Sequence, residues 1–254
     1  MKRLIRAVLH RIGYDIVRYP VLSASDAQLI ADLSLEEQKI LAAVSPFTMT
    51  SLERRAALIN AVNYVTDARI PGDIAECGVW RGGSMMIVAL NLLARGDTNR
   101  SLYLYDTYEG MSAPTDQDLC YDGTRAETML QKDAKGTGIW CEATLEDVRR
   151  NLLSTGYPEQ KLHFIKGKVE DTIPATLPQH LALLRLDTDW YESTQHELKH
   201  LFPRLDPKGI LILDDYGNWQ GARKAVDEYF TEHRRNVYLH RIDFTGRMLV
   251  GGGM

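Results

Sequence analysis

From Gly72 onward the chain alternates continuous apolar runs with amphipathic stretches. The runs DIAECGV, SLYLYDTY, KLHFIKG, ALLRLDTD and GILILDD predict strands, and SMMIVALNLLARG, TLEDVRRNLLSTG and ESTQHELKHLFPRL predict helical crossovers between most of them. Apolar strands separated by helices form a parallel sheet that is covered on both faces. The final NVYLHRIDFTGRMLV contains two short strand-like runs around Thr245-Gly246, which predict a closing hairpin. The expected fold class is α/β: a Rossmann-like, mostly parallel sheet with an antiparallel C-terminal hairpin strand, preceded by an N-terminal helical subdomain.

Residues 1–18 place Leu4, Val8, Leu9, Ile12 and Ile16 at helical spacing among Lys2, Arg3, Arg6, Arg11 and Arg18. This basic amphipathic segment predicts a helix docked on its own domain or on a second subunit, with peripheral membrane attachment as the alternative. Residues 23–70 read as helical, with capping signals at Ser23-Ala24-Ser25-Asp26 and Ser34-Leu35-Glu36-Glu37 and a pause around Ser45-Pro46-Phe47-Thr48. The chain therefore divides into a helical cap or oligomerisation segment, 1–70, and a ligand-binding α/β domain, 71–254. Rich in Asp, Gly and Thr, the 110–142 stretch reads as a long loop or lid, a common place for substrate contacts.

Composition narrows the class. The chain has 254 residues, 44% hydrophobic and 25% charged, which suits one α/β domain with a subdomain. Its formal charge of -4 provides no general attraction for nucleic acid or anionic lipid. Cys77, Cys120 and Cys141 lack C-x-x-C spacing, which argues against a disulfide framework or thiolate zinc site and for a cytoplasmic protein. The opening MKRLIRAVLHRIGYDIVRYP has charges and His10 among its apolar positions, so it reads as neither an export signal nor a membrane span.

Chemistry concentrates at predicted strand ends. In DIAECGVWRGGS a strand runs through a turn containing Gly78, Gly82 and Gly83 into a helix, and residues without a Cβ let backbone approach a ligand closely. The spacing is not the G-x-G-x-x-G of dinucleotide enzymes. Glu76 suits the positive ammonium and sulfonium of S-adenosylmethionine better than a pyrophosphate. Asp106 follows the next strand, where such sheets place a ribose-binding carboxylate, and Glu170 and Asp171 follow the third, within reach of an adenine amino group. One such acid alone is usually a solvated loop residue; three in order, each after its own strand, point to a ligand site.

Asp187 and Asp189 end one strand, and Asp214 and Asp215 end the following one. If those strands are neighbours, their tips lie about 5 Å apart and the four carboxylates crowd into one pocket. Such a set calls for a hard dication such as Mg²⁺, although Asp is also common as a helix N-cap after a strand. An alcohol has a pKa of ~16, and coordination to a dication lowers it while fixing the oxygen for attack. Asp187, Asp214 and Asp215 are assigned as ligands and Asp189 as the base that takes the proton.

His196-Glu197-Leu198-Lys199-His200 matches the H-E-x-x-H of zinc peptidases. It falls in a crossover where Leu198, Leu201 and Phe202 must pack on the sheet, so the match reads as coincidental. His10, His163, His180, His233 and His240 are scattered and read as surface residues.

Together, DIAECGVWRGGS, LYDTYEGM, TLEDVRRNLLSTGYPEQKLHFIKGKVEDTIP, LLRLDTDWYEST and ILILDDYGNWQGARKAVDEYF resemble the macrocin and mycinamicin sugar O-methyltransferase family, which includes the novobiocin sugar methyltransferase. The likeness covers about residues 46–250 in five ordered blocks. It implies a class I methyltransferase sheet, S-adenosylmethionine and Mg²⁺ as cofactors, a sugar hydroxyl as acceptor, and a homodimer or larger assembly. It places Glu76, Cys77, Gly78, Val79 and Trp80 at the methionine end, with Gly82 in the same turn. Asp106, with Thr107 and Glu109 in its block, falls at the ribose, and Val169 and Glu170 at the adenine. Thr48 and Met49 resemble an N-terminal cofactor contact. Asp187, Asp214 and Asp215 match the metal ligands, and Asp189 the base. The 110–142 segment is longer than in the antibiotic enzymes, which leaves the acceptor open among glycosylated metabolites, lipid-linked glycans and polysaccharide ends. Other functions to be weighed are a catechol-type phenol methyltransferase and a non-catalytic nucleotide-binding protein.

Overall fold

A computed structural model describes residues 24–133 and 138–251. The basic 1–18 segment lies outside the described residues. Three helices come first: α1 (Ala24–Leu29), α2 (Leu35–Val44) and α3 (Leu52–Asp67). Ser34 and Glu37 form a reciprocal capping box at α2, and the Ser51 hydroxyl caps α3 by accepting from Arg54 N–H at 3.1 Å. A short 3₁₀ turn at Ser45–Phe47 marks the pause read at Pro46.

The α/β part follows as β1 (Asp73–Cys77), α4 (Gly83–Ala94), β2 (Leu102–Asp106), α5 (Ala126–Lys132), α6 (Leu145–Leu153), β3 (Leu162–Lys166) and α7 (Val169–Thr172). It continues through β4 (Leu181–Leu186), α8 (Tyr191–His200), β5 (Leu205–Leu213), α9 (Gln220–Glu232), β6 (His240–Arg241) and β7 (Arg247–Val250). Strand order is β3-β2-β1-β4-β5-β7-β6, with β1 to β5 mutually parallel and β7 antiparallel to both β5 and β6. This is the expected mostly parallel sheet with its closing hairpin. Strand order reverses between β1 and β4, and open sheets of this kind bind ligands at the carboxyl ends of the strands flanking such a switch point.

Side-chain alternation divides the core in two. Ile74, Leu102, Leu104, Leu183, Ile210 and Ile212 face α2, α3, α4 and α6. Ala75, Cys77, Tyr105, Leu184, Leu186, Leu211 and Leu213 face α8 and α9. The N-terminal helices share the first of these cores. A polar chain also joins them, as Asn63 donates to Glu37 at 2.6 Å and Asn91, buried in α4, donates to Asn63 at 2.9 Å.

The described residues of the 110–142 stretch form more than a plain loop. It contains α5, a 3₁₀ turn at Gly138–Trp140 and isolated bridges from Leu119 to Arg125 and from Cys120 to Trp219. Cys120, Ala126, Leu130, Trp190, Trp219 and Ala222 form a third apolar cluster that seats it over the carboxyl edge of the sheet. Trp190 Nε1 donates to the Ser112 carbonyl at 3.1 Å, and Gln220 Nε2 to the Cys120 carbonyl at 2.9 Å. No helix among the described residues is long and apolar enough to cross a membrane.

Candidate active site

In-register pairing brings the acids together. Cys77 pairs with Leu186 and Leu186 with Leu213, so Asp187 and Asp214 leave adjacent tips side by side. The backbone ladder continues one step past the strands: Asp187 N–H donates to the Cys77 carbonyl at 2.8 Å and Asp214 N–H to the Leu186 carbonyl at 2.9 Å. Glu76 pairs with Arg185 and Arg185 with Ile212. Because side chains alternate, Glu76, Arg185, Asp187 and Asp214 all project from the face that packs on α3 and α4.

Asp187, Asp214 and Asp215 can each offer an oxygen such that all three atoms lie within 4.8 Å of one another, the one such three-residue group among the described residues. Asp189 stands beside them in a left-handed conformation, φ 67°, which Asp tolerates better than most residues. Its N–H donates to Asp215 Oδ2 at 3.3 Å, and Trp219 Nε1 donates to its Oδ1 at 2.5 Å. Burial and the neighbouring Asp187 push the Asp189 carboxyl up to about 7. Burial also raises Asp187 and Asp215 well above the ordinary carboxylate range; Arg185 opposes this at Asp187, while the adjoining aspartates add to it. Carboxylates crowded together at a cleft wall in this way are suited to a dication, which offsets their mutual repulsion.

Two arginines, neither anticipated from the sequence, hold the cluster. Arg185 is 5% exposed and contacts Glu76 and Asp187 at 2.6 Å each and Asp214 at 2.5 Å. Arg54, from α3, pairs with Asp214 and reaches Asp243 at 3.0 Å. Asp243 also accepts from the Ser51 hydroxyl at 2.6 Å and from Gly246 N–H at 2.6 Å, so one carboxylate ties the C-terminal hairpin to the start of α3.

The acids open into a cleft of about 240 Å³. Thr48, Met49, Gly78, Val79, Trp80, Asp106, Thr107, Val169 and Glu170 line it, together with Asp187, Asp189, Asp214 and Asp215. Met111, Ser112 and Cys141 from the covering segment also line it, and the sequence reading did not single these out for the site. Asp106 braces the turn: its Oδ2 accepts from Val79 N–H at 2.6 Å and Trp80 N–H at 3.1 Å, and its Oδ1 from Tyr108 N–H at 2.7 Å.

Five residues expected at a ligand do not line this cleft. Glu109 and Asp171 are exposed, and Glu109 pairs with Lys166 at 2.7 Å. Cys77 is fully buried on the opposite face of the sheet, among the residues that pack on α8. Gly82 is away from the cleft wall, and a Cβ there would lie 2.6 Å from Leu152 Cδ2. Glu76 lies beneath the lining on Arg185; its Oε2 is buried and receives no hydrogen bond among the described residues. Gly78 lines the cleft, yet a Cβ on it would fall 2.0 Å from the Asp187 carbonyl oxygen. The missing Cβ at Gly78 and Gly82 thus admits neighbouring protein, where the sequence reading expected a ligand.

Glu197 of the H-E-x-x-H match is fully buried and accepts from the Thr188 hydroxyl at 2.9 Å, and burial pushes its carboxyl well above the usual carboxylate range. His196 instead lies 2.9 Å from the Ile173 carbonyl, and Leu198, Leu201 and Phe202 are buried as expected.

Residues 34–249 match the family model described as Macrocin-O-methyltransferase (TylF). The 8-demethyl-8-(2,3-dimethoxy-alpha-L-rhamnosyl)-tetracenomycin-C 4'-O-methyltransferase of Streptomyces olivaceus is 36% identical over 199 residues, 78% of this chain and 73% of that protein. The mycinamicin III 3''-O-methyltransferase of Micromonospora griseorubida is 33% identical over 199 residues, 78% of this chain and 76% of that protein. The structure of the O-methyltransferase NovP superposes with a TM-score of 0.71 at 29% identity, covering 81% of this chain and 82% of that one. With its class I sheet and acidic strand tips, the chain belongs to the macrocin O-methyltransferase family.

Proposed function

We propose that the chain transfers the methyl group of S-adenosylmethionine to a sugar hydroxyl of a glycosylated metabolite or glycan, with Mg²⁺ held by Asp187, Asp214 and Asp215. The observation that carries this reading is the convergence of those three carboxylates in the same cleft as the Gly78-Val79-Trp80 turn. The relatives' names, which specify a rhamnosyl-tetracenomycin, mycinamicin III and demethyldecarbamoylnovobiocin, support a sugar-bearing acceptor. The unpaired Glu76 Oε2 supports a donor-rich, cationic ligand end nearby.

A dication in such a site acidifies the acceptor hydroxyl and fixes its direction. Asp189 accepts the hydroxyl proton on its carboxylate, which the Trp219 indole keeps in place. Asp106 holds the Val79-Trp80 turn that forms the cofactor wall, and Glu170 and Val169 line the far end. Met111, Ser112 and Cys141 close the wall from the covering segment. Residues 1–70 serve as a cap and assembly segment for 71–254 in a cytoplasmic homo-oligomer.

The test is a screen of tritiated methyl transfer from S-adenosylmethionine to glycosides and to catechols in the presence of Mg²⁺. Labelled glycoside is expected. Transfer to catechols alone would move the assignment to a phenol methyltransferase, and cofactor binding without transfer to any acceptor would leave a non-catalytic binding protein.

A further inference from the structure

Strand β4 reads LALLRL, and all six residues are buried. An arginine in such a strand survives only with its charge compensated, since an unpaired buried cation is strongly destabilising. Here the compensation comes from three strands at once. Nη1 serves Glu76 Oε1 of β1 and Asp187 Oδ2 past the end of β4, both at 2.6 Å, and Nη2 serves Asp214 Oδ1 past the end of β5 at 2.5 Å. A guanidinium is planar and keeps its donors at fixed angles, so three carboxylates bound to one are fixed relative to each other. Lysine would supply the charge without that geometry.

We propose that Arg185 is a positioning residue shared by two subsites: it fixes Glu76 at the cofactor end and Asp187 and Asp214 at the cation end. This rests on the function proposed above. Each carboxylate gives one oxygen to the clamp, and at Glu76 the second oxygen is buried without a hydrogen-bond partner among the described residues. The two subsites therefore share one rigid group, and a change at either end reaches the other through it. Asp106 lies outside this arrangement, because its partners are backbone N–H groups and the Thr107 hydroxyl.

The test measures Mn²⁺ binding by electron paramagnetic resonance and S-adenosylhomocysteine binding by calorimetry on the full chain, with circular dichroism to confirm folding. Arg185→Lys is expected to weaken both ligands by about tenfold or more, the range seen when groups that orient metal ligands are removed. Asp215→Asn should weaken Mn²⁺ alone. Glu76→Gln, nearly isosteric, should weaken S-adenosylhomocysteine and also lower Mn²⁺ affinity by about threefold or more, whereas Asp106→Asn should leave Mn²⁺ within about twofold. A folded Arg185→Lys that loses one ligand only, or neither, overturns the shared role. If Arg185→Lys does not fold, Glu76→Gln decides, and unchanged Mn²⁺ affinity in it overturns the proposal. A wild-type chain that binds neither probe removes the proposed function itself, and this inference with it.

Discussion

Trp219 donates its indole N–H to Asp189 Oδ1 at 2.5 Å, joining the turn after β5 to the residue assigned as base. The same hydrogen bond favours the charged form of Asp189, against the burial and Asp187 that raise it to about 7. Trp219→Phe keeps an aromatic ring and removes the donor. The acid limb of the pH-rate profile should then move to higher pH, and kcat should fall by about tenfold at neutral pH while S-adenosylhomocysteine binds as before. A profile with its limb unmoved would separate Trp219 from proton transfer.

Asp187→Ala and Asp189→Ala should each reduce turnover by about a hundredfold or more, with a smaller change in cofactor affinity. Both act on the acceptor oxygen, so their losses belong in kcat. Steady-state kinetics combined with calorimetry of cofactor binding distinguish this from collapse of the cleft, which would weaken the cofactor equally.

Cation affinity should depend on pH. Asp187 and Asp215 have carboxyl pKa values held well above the ordinary range, chiefly by burial, and Asp189 is at about 7. For the cation-free chain, folding tightens the hold on these protons, so their contribution to stability is present at low pH and is lost as pH rises, at Asp189 between about 4 and about 7. A dication needs the deprotonated forms, so its affinity rises across the same window and its binding releases protons. The increase in Tm on adding Mg²⁺ should therefore be larger at pH 8 than at pH 6, and the calorimetric enthalpy should vary with the buffer's ionisation heat. A larger increase at pH 6 would contradict this reading of the acids.

The glycine turn predicts a stability effect. Gly78 has φ 81°, and a Cβ there would lie 2.0 Å from the Asp187 carbonyl oxygen. Gly78→Ala combines a left-handed alanine with a backbone clash, about 2–4 kcal/mol together, or a Tm lower by roughly 10 °C in a chain of this size. Thermal unfolding followed by circular dichroism measures it.

His196→Ala with His200→Ala should leave methyl transfer and its cation dependence unchanged. Those rings lie against each other, 4.5 Å between centroids, while Glu197 between them in sequence is buried towards Thr188. Loss of bound metal in this double variant, measured by elemental analysis, would restore the zinc reading.

Much of this was legible in the sequence because alternation has only two settings. Once DIAECGV, ALLRLDTD and GILILDD are parallel strands, parity alone places Asp187 and Asp214 on one face, and β4–β5 adjacency brings them together. Arg185 was missed although the same parity carried its signal: a cation inside an otherwise apolar run has to face buried acids, and Glu76 and Asp187 share its face. Arg54 carried no such signal, since its contacts with Asp214 and Asp243 arise from how α3 docks on the hairpin. Glu109 failed for a related reason. It lies past the end of β2, where the turn rather than strand periodicity sets side-chain direction, and it turns out to Lys166. The 110–142 stretch was legible as a cover but not in its contacts, because the bridge from Cys120 to Trp219 joins residues far apart in the chain.

Whether a dication on Asp187, Asp214 and Asp215 activates the acceptor is decided by methyl transfer to an accepted glycoside after exhaustive chelation, followed by graded return of Mg²⁺. Transfer should fall to background while S-adenosylmethionine remains bound, and should recover in proportion to Mg²⁺ occupancy in the wild type but not in Asp187→Ala. Full-rate transfer by the chelated wild-type chain would contradict that role of the dication.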